Sequence, residues 1–264
     1  MIDYVALEKQ LKTQYMGRTF LQFERLPECA KKMRSIASHS PEGMVVMCDE
    51  QEECQPSKNK WWHGPKGGLY LSVLHHYQHE KDMSGLLTLA YGAGFREALE
   101  SHGVHCDLKW PNDVMVQGEK IGSIFVEGIR TQPGRSYLVS LYGNINNLDK
   151  DMEGLKDSPW VSIKKITGKP VKMERLMADC FNRIEPYLLE INNEDVLETI
   201  RWPWEAYLKA TIEIALKKRR QTKWRIYEFE SINRNGQLIL RDIQKQCQRV
   251  LDPKQDEIRM MHHD

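Results

Sequence analysis

The sequence predicts an α+β protein: a mixed, mostly antiparallel sheet flanked by helices, followed by a small β-barrel. Apolar residues recur at helical spacing in some segments and alternate in neighbouring ones, which is typical of helices lying beside strands. Beyond residue 204 the strand-like segments become short and are separated by turn or charged residues, which indicates a small barrel. A chain of 264 residues is long enough for one substantial domain and a small one. We therefore predict domains at 1–203 and 204–264.

The N-terminal half begins with a charged amphipathic stretch and then alternates between apolar and polar segments. Thr19 to Phe23 alternates as a strand should, and the next helical pattern stops at a Ser-Pro-Glu-Gly sequence. The predicted elements here are a helix at 3–15, a strand at 19–23, a helix at 27–39, a strand at 44–48, a long polar loop at 49–64 and a strand at 69–75.

The second half contains the clearest helix of the chain, from Ser84 to His102, with Gly103 as the residue after its end. Strands are predicted at 113–117, 121–129 and 136–145, a helix at 172–189, and barrel strands at 211–216, 223–232, 237–243 and 248–251.

Composition argues against several classes of protein. With 38 basic and 37 acidic residues, no broad field attracts nucleic acid or a membrane. The N-terminus does not resemble a signal sequence, and no apolar run is long enough to span a bilayer. The six cysteines show no C-x-x-C pairing, which indicates reduced thiols and a cytoplasmic location. Two groups rich in histidine lack four ligands at a recognised spacing, so no metal cluster is predicted; they are His75, His76 and His79, and His102, His105 and Cys106.

The most informative segment is Lys109-Trp110-Pro111-Asn112-Asp113, followed by Lys120-Ile121-Gly122-Ser123-Ile124. Two ammonium groups that converge repel each other unless an anion, such as a phosphate, lies between them. Asp113 could hold one lysine in place or help to bind a metal ion. The alternative is that Trp-Pro-Asn-Asp forms an ordinary turn and that the lysines are solvated.

This segment resembles the signature of the biotin protein ligases, which join biotin to ATP and pass biotinyl-adenylate to a lysine of a carboxylase carrier domain. Other segments are similar to that family in the same order, from about residue 20 to 255. They are Trp62 to Ser72, Leu86 to Leu99, Asn144 to Asn146, Trp160 to Lys164, Gly168 to Val171 and the hairpin Asn233 to Leu240. This hairpin resembles that of the family's small SH3-like barrel, so the resemblance implies an SH3-like C-terminal domain.

The resemblance implies roles for individual residues. Lys120, Lys109 and Asp113 would be catalytic, with Lys120 on the acyl or phosphate oxygen in both half-reactions. Asn112 and Asp113 would bind adenylate or the Mg²⁺ that accompanies ATP, and Asn146 would contact adenine. Further substrate-binding positions are Gln51, Lys58, Lys60, Trp62, Gly67 and Gly68.

The resemblance also implies partners and substrates. The cofactors would be ATP and Mg²⁺, the acid would be biotin, and the acceptor would be the biotin carrier domain of a biotin-dependent carboxylase. Relatives often pair through sheet edges, so a homodimer is one expected arrangement. Only about twenty residues precede the similar region, so we expect no helix-turn-helix domain and no nucleic-acid partner.

Two departures from the family concern substrate binding. The flap sequence Gly-Arg-Gly-Arg-x-Gly-Arg is replaced by Cys54-Gln55-Pro56-Ser57-Lys58-Asn59-Lys60, in which Lys58 and Lys60 retain charge but cannot form a bidentate fork. The Ser-Thr-Asn that binds the ureido ring is replaced by Arg25-Leu26-Pro27. In addition, Ser123 stands where the family usually has glycine.

Three functional hypotheses follow. The first is a working biotin protein ligase. The second is an adenylate-forming ligase for another acid, such as lipoate or octanoate, and loss of the ureido-binding triplet is consistent with it. The third is a paralogue that binds a nucleotide or a partner without turnover, although paired lysines have no obvious packing role.

Overall fold

The structure is a computed structural model that describes residues 1–57, 60–77, 82–132, 134–152, 159–218, 222–251 and 256–262. The side chains of residues 53–57, 60–63, 211–213, 256–257, 259 and 261–262 are not described.

The larger sheet has the strand order β1-β2-β4-β8-β7-β6-β5, with β3 paired to the far end of β2. Its strands are β1 Phe20–Leu26, β2 Val45–Ser57, β3 Lys60–Gly64, β4 Leu69–Tyr77, β5 Asp107–Lys109, β6 Asp113–Val116, β7 Glu119–Thr131 and β8 Gly134–Gly143. Only β1 and β2 pair in parallel, and the other pairs are antiparallel. The predicted mixed, mostly antiparallel sheet is confirmed.

Helices cover both faces of this sheet. They are α1 Tyr4–Glu8, α2 Cys29–Ile36, α3 Ser84–Ser101, α4 Ile163–Thr167, α5 Met173–Leu189 and α6 Glu194–Lys209. Alternation along β4 separates the faces, because Leu69, Leu71 and Val73 join the core formed with α3 and α5. Tyr70 and Leu74 instead join a second apolar cluster beneath α2. No helix in the described part of the chain is both long and apolar enough to cross a membrane.

A second, smaller sheet follows α6, with the order β12-β11-β10-β9-β13. Its strands are β9 Thr211–Lys218, β10 Arg225–Ile232, β11 Leu238–Asp242, β12 Cys247–Val250 and β13 Asp256–His262. The predicted small C-terminal sheet is present, but its described strands form an open sheet and not a closed barrel. Helix α6 runs through the predicted boundary at 203/204, and Trp204 donates its indole N–H to the Leu89 carbonyl (3.2 Å).

Several elements differ from the sequence prediction. The segment predicted as a polar loop, 49–64, contains the extension of β2 and the strand β3. The predicted helix at 3–15 ends at Glu8, because the following residues are held in a turn. There the buried Glu185 carboxylate accepts backbone N–H groups from Gln14, Tyr15 and Met16 at 2.5–3.0 Å. The elements β5, α6 and β13 were not predicted.

Candidate functional site

One line of directly paired residues crosses seven strands of the larger sheet. Residues directly opposite each other on neighbouring strands project from the same face of a sheet. We call this line the cross-strand row; from β1 to β5 it consists of Phe23, Cys48, Tyr70, Tyr142, Ser123, Asp113 and Lys109. One end of the row is therefore apolar and aromatic, and the other end is polar and charged.

The charged end is organised around Asp113. One carboxylate oxygen lies 2.9 Å from the Lys120 ammonium, and the other lies 2.7 Å from the Ser123 hydroxyl, which is oriented to donate to it. The side chains of Lys120 and Asp113 are only 24% and 14% exposed. Of the predicted residues, the structure thus brings Lys120 and Asp113 into contact, and Ser123 joins them.

Backbone contacts hold this group in position. The buried Asn112 amide donates to the Ile124 carbonyl (2.9 Å), which ties the β5–β6 turn to β7. Lys120 donates its backbone N–H to the Pro159 carbonyl (2.9 Å), and its own carbonyl accepts from Val161 (3.0 Å). The ammonium of Lys120 therefore extends from a strand fixed on two sides.

Lys109 lies at the end of the cross-strand row. It is the register partner of Asp113 and is partly buried. Among the described residues it forms no ion pair. Its charge lies on the same face as the Lys120–Asp113 pair, so an anion bound there would face two ammonium groups.

The predicted adenine-binding region lies at the end of β8. Both ends of the Asn146 amide are engaged by Val171: its N–H₂ donates to the carbonyl (3.0 Å), and its oxygen accepts the backbone N–H (2.8 Å). The carbonyl of Gly67 accepts from the Asn146 backbone N–H (2.7 Å), and Gly67 has φ +104°, a conformation that favours glycine. A Cβ atom at Gly68 would lie 2.0 Å from the Tyr70 hydroxyl, so the tyrosine ring lies directly over this glycine.

The remaining predicted binding residues lie near the β2–β3 hairpin. Gln51 is buried, and its side-chain oxygen accepts the backbone N–H of Cys29 (3.1 Å), which joins β2 to the first residue of α2. Lys58 lies outside the described residues. Lys60 and Trp62 belong to β3, but their side chains also lie outside the description.

The replaced triplet takes part in other contacts. Arg25 forms an ion pair with Glu50, and Leu26 packs against the cluster that contains Tyr70 and Tyr142. Pro27 has no backbone N–H to donate. Arg25 is therefore engaged in an exposed ion pair, and Leu26 is engaged in apolar packing.

The aromatic end of the cross-strand row is closely filled. Tyr70 and Tyr142 are fully buried, and their rings meet edge to face with centroids 6.4 Å apart. Phe125 packs on Tyr142 at 5.4 Å, and the Tyr70 hydroxyl donates to the Pro65 carbonyl (2.8 Å). The sequence reasoning did not identify these residues. Alternation on the predicted strands places each of them on a face, but only the pairing register places Tyr142 opposite Ser123 and Tyr70 opposite Tyr142.

The histidine-rich segments serve packing and hydrogen bonding where they are described. The buried His75 ring lies 2.6 Å from Glu42 and 2.6 Å from the Tyr91 hydroxyl, while His102 lies 3.1 Å from Asp179. Within the described ranges, no group of three or more histidine, cysteine or acidic residues could hold a metal ion.

Residues 29–146 match the model of the biotin/lipoate A/B protein ligase family. This range includes α2, Gln51 and both lysines of the charged end. Over this range, the chain is similar to that family.

The chain is also similar to curated relatives and to solved structures. The chain is 28% identical over 166 residues to the "bifunctional ligase/repressor BirA" of Bacillus subtilis, which covers 61% of this chain and 51% of the relative. It thus spans about half the length of the curated relatives it matches. A biotin protein ligase from Aquifex aeolicus in complex with biotin and ATP superimposes with a TM-score of 0.71 at 18% identity, covering 92% of this chain and 99% of that one. The ligase of Leishmania major in complex with biotinyl-5-AMP gives 0.59 at 19% identity, covering 89% and 99%. At these identities, the structural similarity concerns the fold.

Proposed function

We propose that this protein is an ATP-dependent protein ligase that forms an acyl-adenylate and transfers the acyl group to a lysine of an acceptor domain. In the form that its family suggests, the acid is biotin and the acceptor is the biotin carrier domain of a biotin-dependent carboxylase. The acid carboxylate would attack the α-phosphate of ATP and release pyrophosphate. The acceptor lysine would then attack the acyl carbon and release AMP.

The observation that carries this proposal is the Lys120–Asp113 pair with Lys109 on the same face. In the first step two anions meet, so the site needs fixed positive charge where negative charge develops. Asp113 holds the Lys120 ammonium before substrate binds, which reduces the cost of orienting it. Lys120 would bind the acyl or phosphate oxygen in both steps, and Lys109 would bind the phosphate.

ATP and Mg²⁺ are the proposed co-substrate and cofactor. Magnesium is usually held by one or two carboxylates together with the phosphates and water. Asp113 is the only carboxylate of the cross-strand row, and both its oxygens already have partners. The residues are therefore compatible with a magnesium ion bound mainly through the triphosphate, whose charge it would neutralise.

A second candidate is a member of the family that uses another acid, such as lipoate or octanoate, or binds a nucleotide or a protein without turnover. The observation in its favour is that Leu26 and the aromatic end of the cross-strand row pack together. A buried ureido group left without its polar partners would lose about 1–3 kcal/mol for each unpaired group.

The proposal is tested by incubating the protein with ATP, Mg²⁺, biotin and a biotin carrier domain and measuring the acceptor mass. We expect the mass of one biotinyl group to be added to the acceptor lysine. Lys120→Ala should lower the rate by about a hundredfold to a thousandfold, because one charge acting on the transition state is lost.

Lys172→Ala is the matched control, because it removes an exposed lysine from the start of α5. An equal rate for Lys120→Ala and the control would contradict the role of Lys120. Absence of biotinylation, together with release of AMP when another acid is supplied, would favour the second candidate.

A further inference from the structure

The smaller sheet carries a groove beside the start of β10. Residues 223–226, which lead into β10, and residues 242–244, at the end of β11 and just beyond it, line this groove. Its volume is about 520 Å³, within the range of about 300–1,000 Å³ that is usual for ligand-binding clefts. Among the described residues that line it, none has a role in the proposed ligase chemistry.

The groove forms because β10 extends beyond the end of β11. The last pair between these strands joins Tyr227 to Asp242, whereas Arg225 and Ile226 pair only with β9, on the other side. After Asp242 the chain turns, and the carboxylate of this residue accepts two backbone N–H groups of the turn, both at 3.0 Å. In the described part of the chain, no strand pairs with the groove-facing edge of β10 at Arg225 and Ile226. An open strand edge of this kind can pair with another chain.

Apolar side chains line the groove with much of their surface in solvent. Ile226 is 49% exposed and Ile243 is 41% exposed. The partly buried ring of Trp224 lies beside them, and the Lys217 ammonium is 5.2 Å from its centroid, a contact that helps to hold the ring. Exposed apolar side chains grouped with an aromatic ring are typical of protein interaction sites.

The groove also carries positive charge. Lys223 and Arg225 are exposed, and neither forms an ion pair among the described residues. The carboxylate of Asp242, which also lines the groove, is buried and is already engaged by the turn. A complementary ligand would therefore place acidic groups near Lys223 and Arg225 and apolar groups over the isoleucines.

The surroundings of the groove favour a peptide over other ligands. Most of the lining side chains are exposed, so a small molecule would remain largely in water, whereas ligand pockets usually bury about 70–90% of their ligand. A nucleic acid carries negative charge along its whole length and would meet Glu228, which is exposed on the same face of β10 as Ile226. An extended peptide can add backbone hydrogen bonds to an open strand edge and present acidic and apolar side chains in alternation.

We propose that this groove binds an extended acidic segment of a partner protein, which adds as a short strand to the open edge of β10. Apolar side chains of the segment contact Ile226 and Ile243, and its carboxylates pair with Lys223 and Arg225. The inference goes beyond the proposed function and does not depend on it, because it concerns a surface for recruiting a protein.

The first test measures binding of a fluorescein-labelled peptide, Glu-Val-Glu-Val-Glu-Val, to the full-length protein by fluorescence anisotropy. Ile226→Ser and Val250→Ser form a matched pair, since both residues are β-branched, lie on the smaller sheet and are 49% and 48% exposed, but only Ile226 lines the groove. We expect Ile226→Ser to weaken binding about tenfold, because the apolar contact is lost. Ile243→Ser should act in the same direction, and Val250→Ser should stay within about twofold of the wild type.

The second test concerns charge. Arg225→Glu should weaken binding of the same peptide about tenfold or more, because an attraction becomes a repulsion. Arg130→Glu is the control, since it makes the same change at an exposed arginine of β7 in the larger sheet. A peptide in which lysine replaces glutamate should bind the wild type more weakly than the acidic peptide.

The third test concerns strand addition. Two further peptides carry N-methyl groups, one on every valine and the other on every glutamate, which removes those backbone donors. Alternate N–H groups of a strand point to opposite sides, so at least one of these peptides should lose binding. Equal binding of both methylated peptides and the parent peptide would overturn pairing with β10.

The remaining outcomes also decide the inference. Undetectable binding of the acidic peptide, equal binding of the lysine peptide, or equal affinities of Ile226→Ser and Val250→Ser would each overturn it. Tighter binding of an oligothymidylate than of the acidic peptide would overturn it in favour of a nucleic-acid site. Acid-dependent AMP release and melting temperature are measured on the same proteins and should not change in the groove variants. Absence of AMP release in the wild type would contradict the proposed function and leave the peptide result standing.

Discussion

At the scale of single residues, the geometry of the charged end depends on the contacts of one carboxylate, that of Asp113. Asp113 accepts from both Lys120 and Ser123, so one carboxylate orients the ammonium and the hydroxyl together. Ser123 stands at a position where the family that the sequence resembles usually has glycine. In this chain its hydroxyl donates a hydrogen bond to the Asp113 carboxylate. The substitution is therefore accommodated by a new contact within the site.

Replacing Asp113 with asparagine removes the charge that holds Lys120. We expect adenylation to fall by about a hundredfold, because a small misplacement of a positioned group has an effect of that size. The measurement is acid-dependent release of AMP under single-turnover conditions, with melting temperature recorded in parallel.

Asp149→Asn is the control, since it removes a carboxylate from an exposed ion pair with Lys165 away from the row. Exposed pairs of this kind contribute little. If the two variants were equally active, Asp113 would have no part in orienting Lys120.

At the scale of elements, small residues allow the helices behind the sheet to approach closely. A Cβ atom at Gly92 of α3 would lie 2.2 Å from the Trp204 ring of α6, and one at Gly94 would lie 2.5 Å from Ile184 of α5. The indole of Trp204 is fully buried and hydrogen-bonded to α3. Helix α6 leads directly into the smaller sheet, so this close contact with α3 helps to position α6 and that sheet.

Gly92→Ala should lower the free energy of unfolding by about 1–3 kcal/mol, because the added methyl group overpacks a rigid aromatic contact. Urea denaturation measures the change. Gly128→Ala on β7 is the matched control: its added Cβ would make only ordinary contacts, the nearest at 3.5 Å. A larger loss of stability in the control would contradict this account of the α3–α6 contact.

At the scale of the whole molecule, the two sheets share one core. Leu216, Tyr227 and Leu240 of the smaller sheet belong to the same apolar cluster as α3 and α5. Where the two sheets meet, the Gly236 carbonyl is 3.5 Å from the indole nitrogen of Trp110, next to the lysine motif. The charged end of the site is therefore adjacent to the contact between the sheets.

Burial raises the pKa of several weak acids in this molecule. The pKa of the Cys106 thiol is raised to about 12, and that of the Cys180 thiol is raised further. Burial likewise raises the phenol pKa values of Tyr15, Tyr77 and Tyr91. The folded protein therefore keeps these groups protonated at a pH where the unfolded chain ionises them.

Stability should consequently decline on the alkaline side. In the unfolded chain these groups ionise at their ordinary pKa values, which are 9.0 for cysteine and 10.0 for tyrosine. The contribution of these groups is complete below about pH 8 and is lost as the pH rises through their raised folded values. Urea midpoints measured at about pH 8 and pH 10.5 should differ clearly, and an unchanged midpoint would contradict the burial of these groups.

The sequence by itself determined the features that depend on local pattern. The period of the apolar residues predicted α3 and α5 nearly to their ends, because burial of one helical face imposes that spacing. The order of the motifs along the chain indicated the family, and the lysine motif predicted which charged residues belong together.

Only the tertiary structure decided what depends on the pairing of distant strands. Register places Tyr142 between Tyr70 and Ser123, and these residues come from three strands that no local pattern aligns. The segment 49–57 lacks apolar alternation, yet it extends β2 because β3 supplies its hydrogen bonds. Asn146 is bonded to Val171, 25 residues away. The spacing of residues along one strand predicts the face from which a side chain projects. Which residue lies beside it on the next strand is decided by long-range packing and hydrogen bonding.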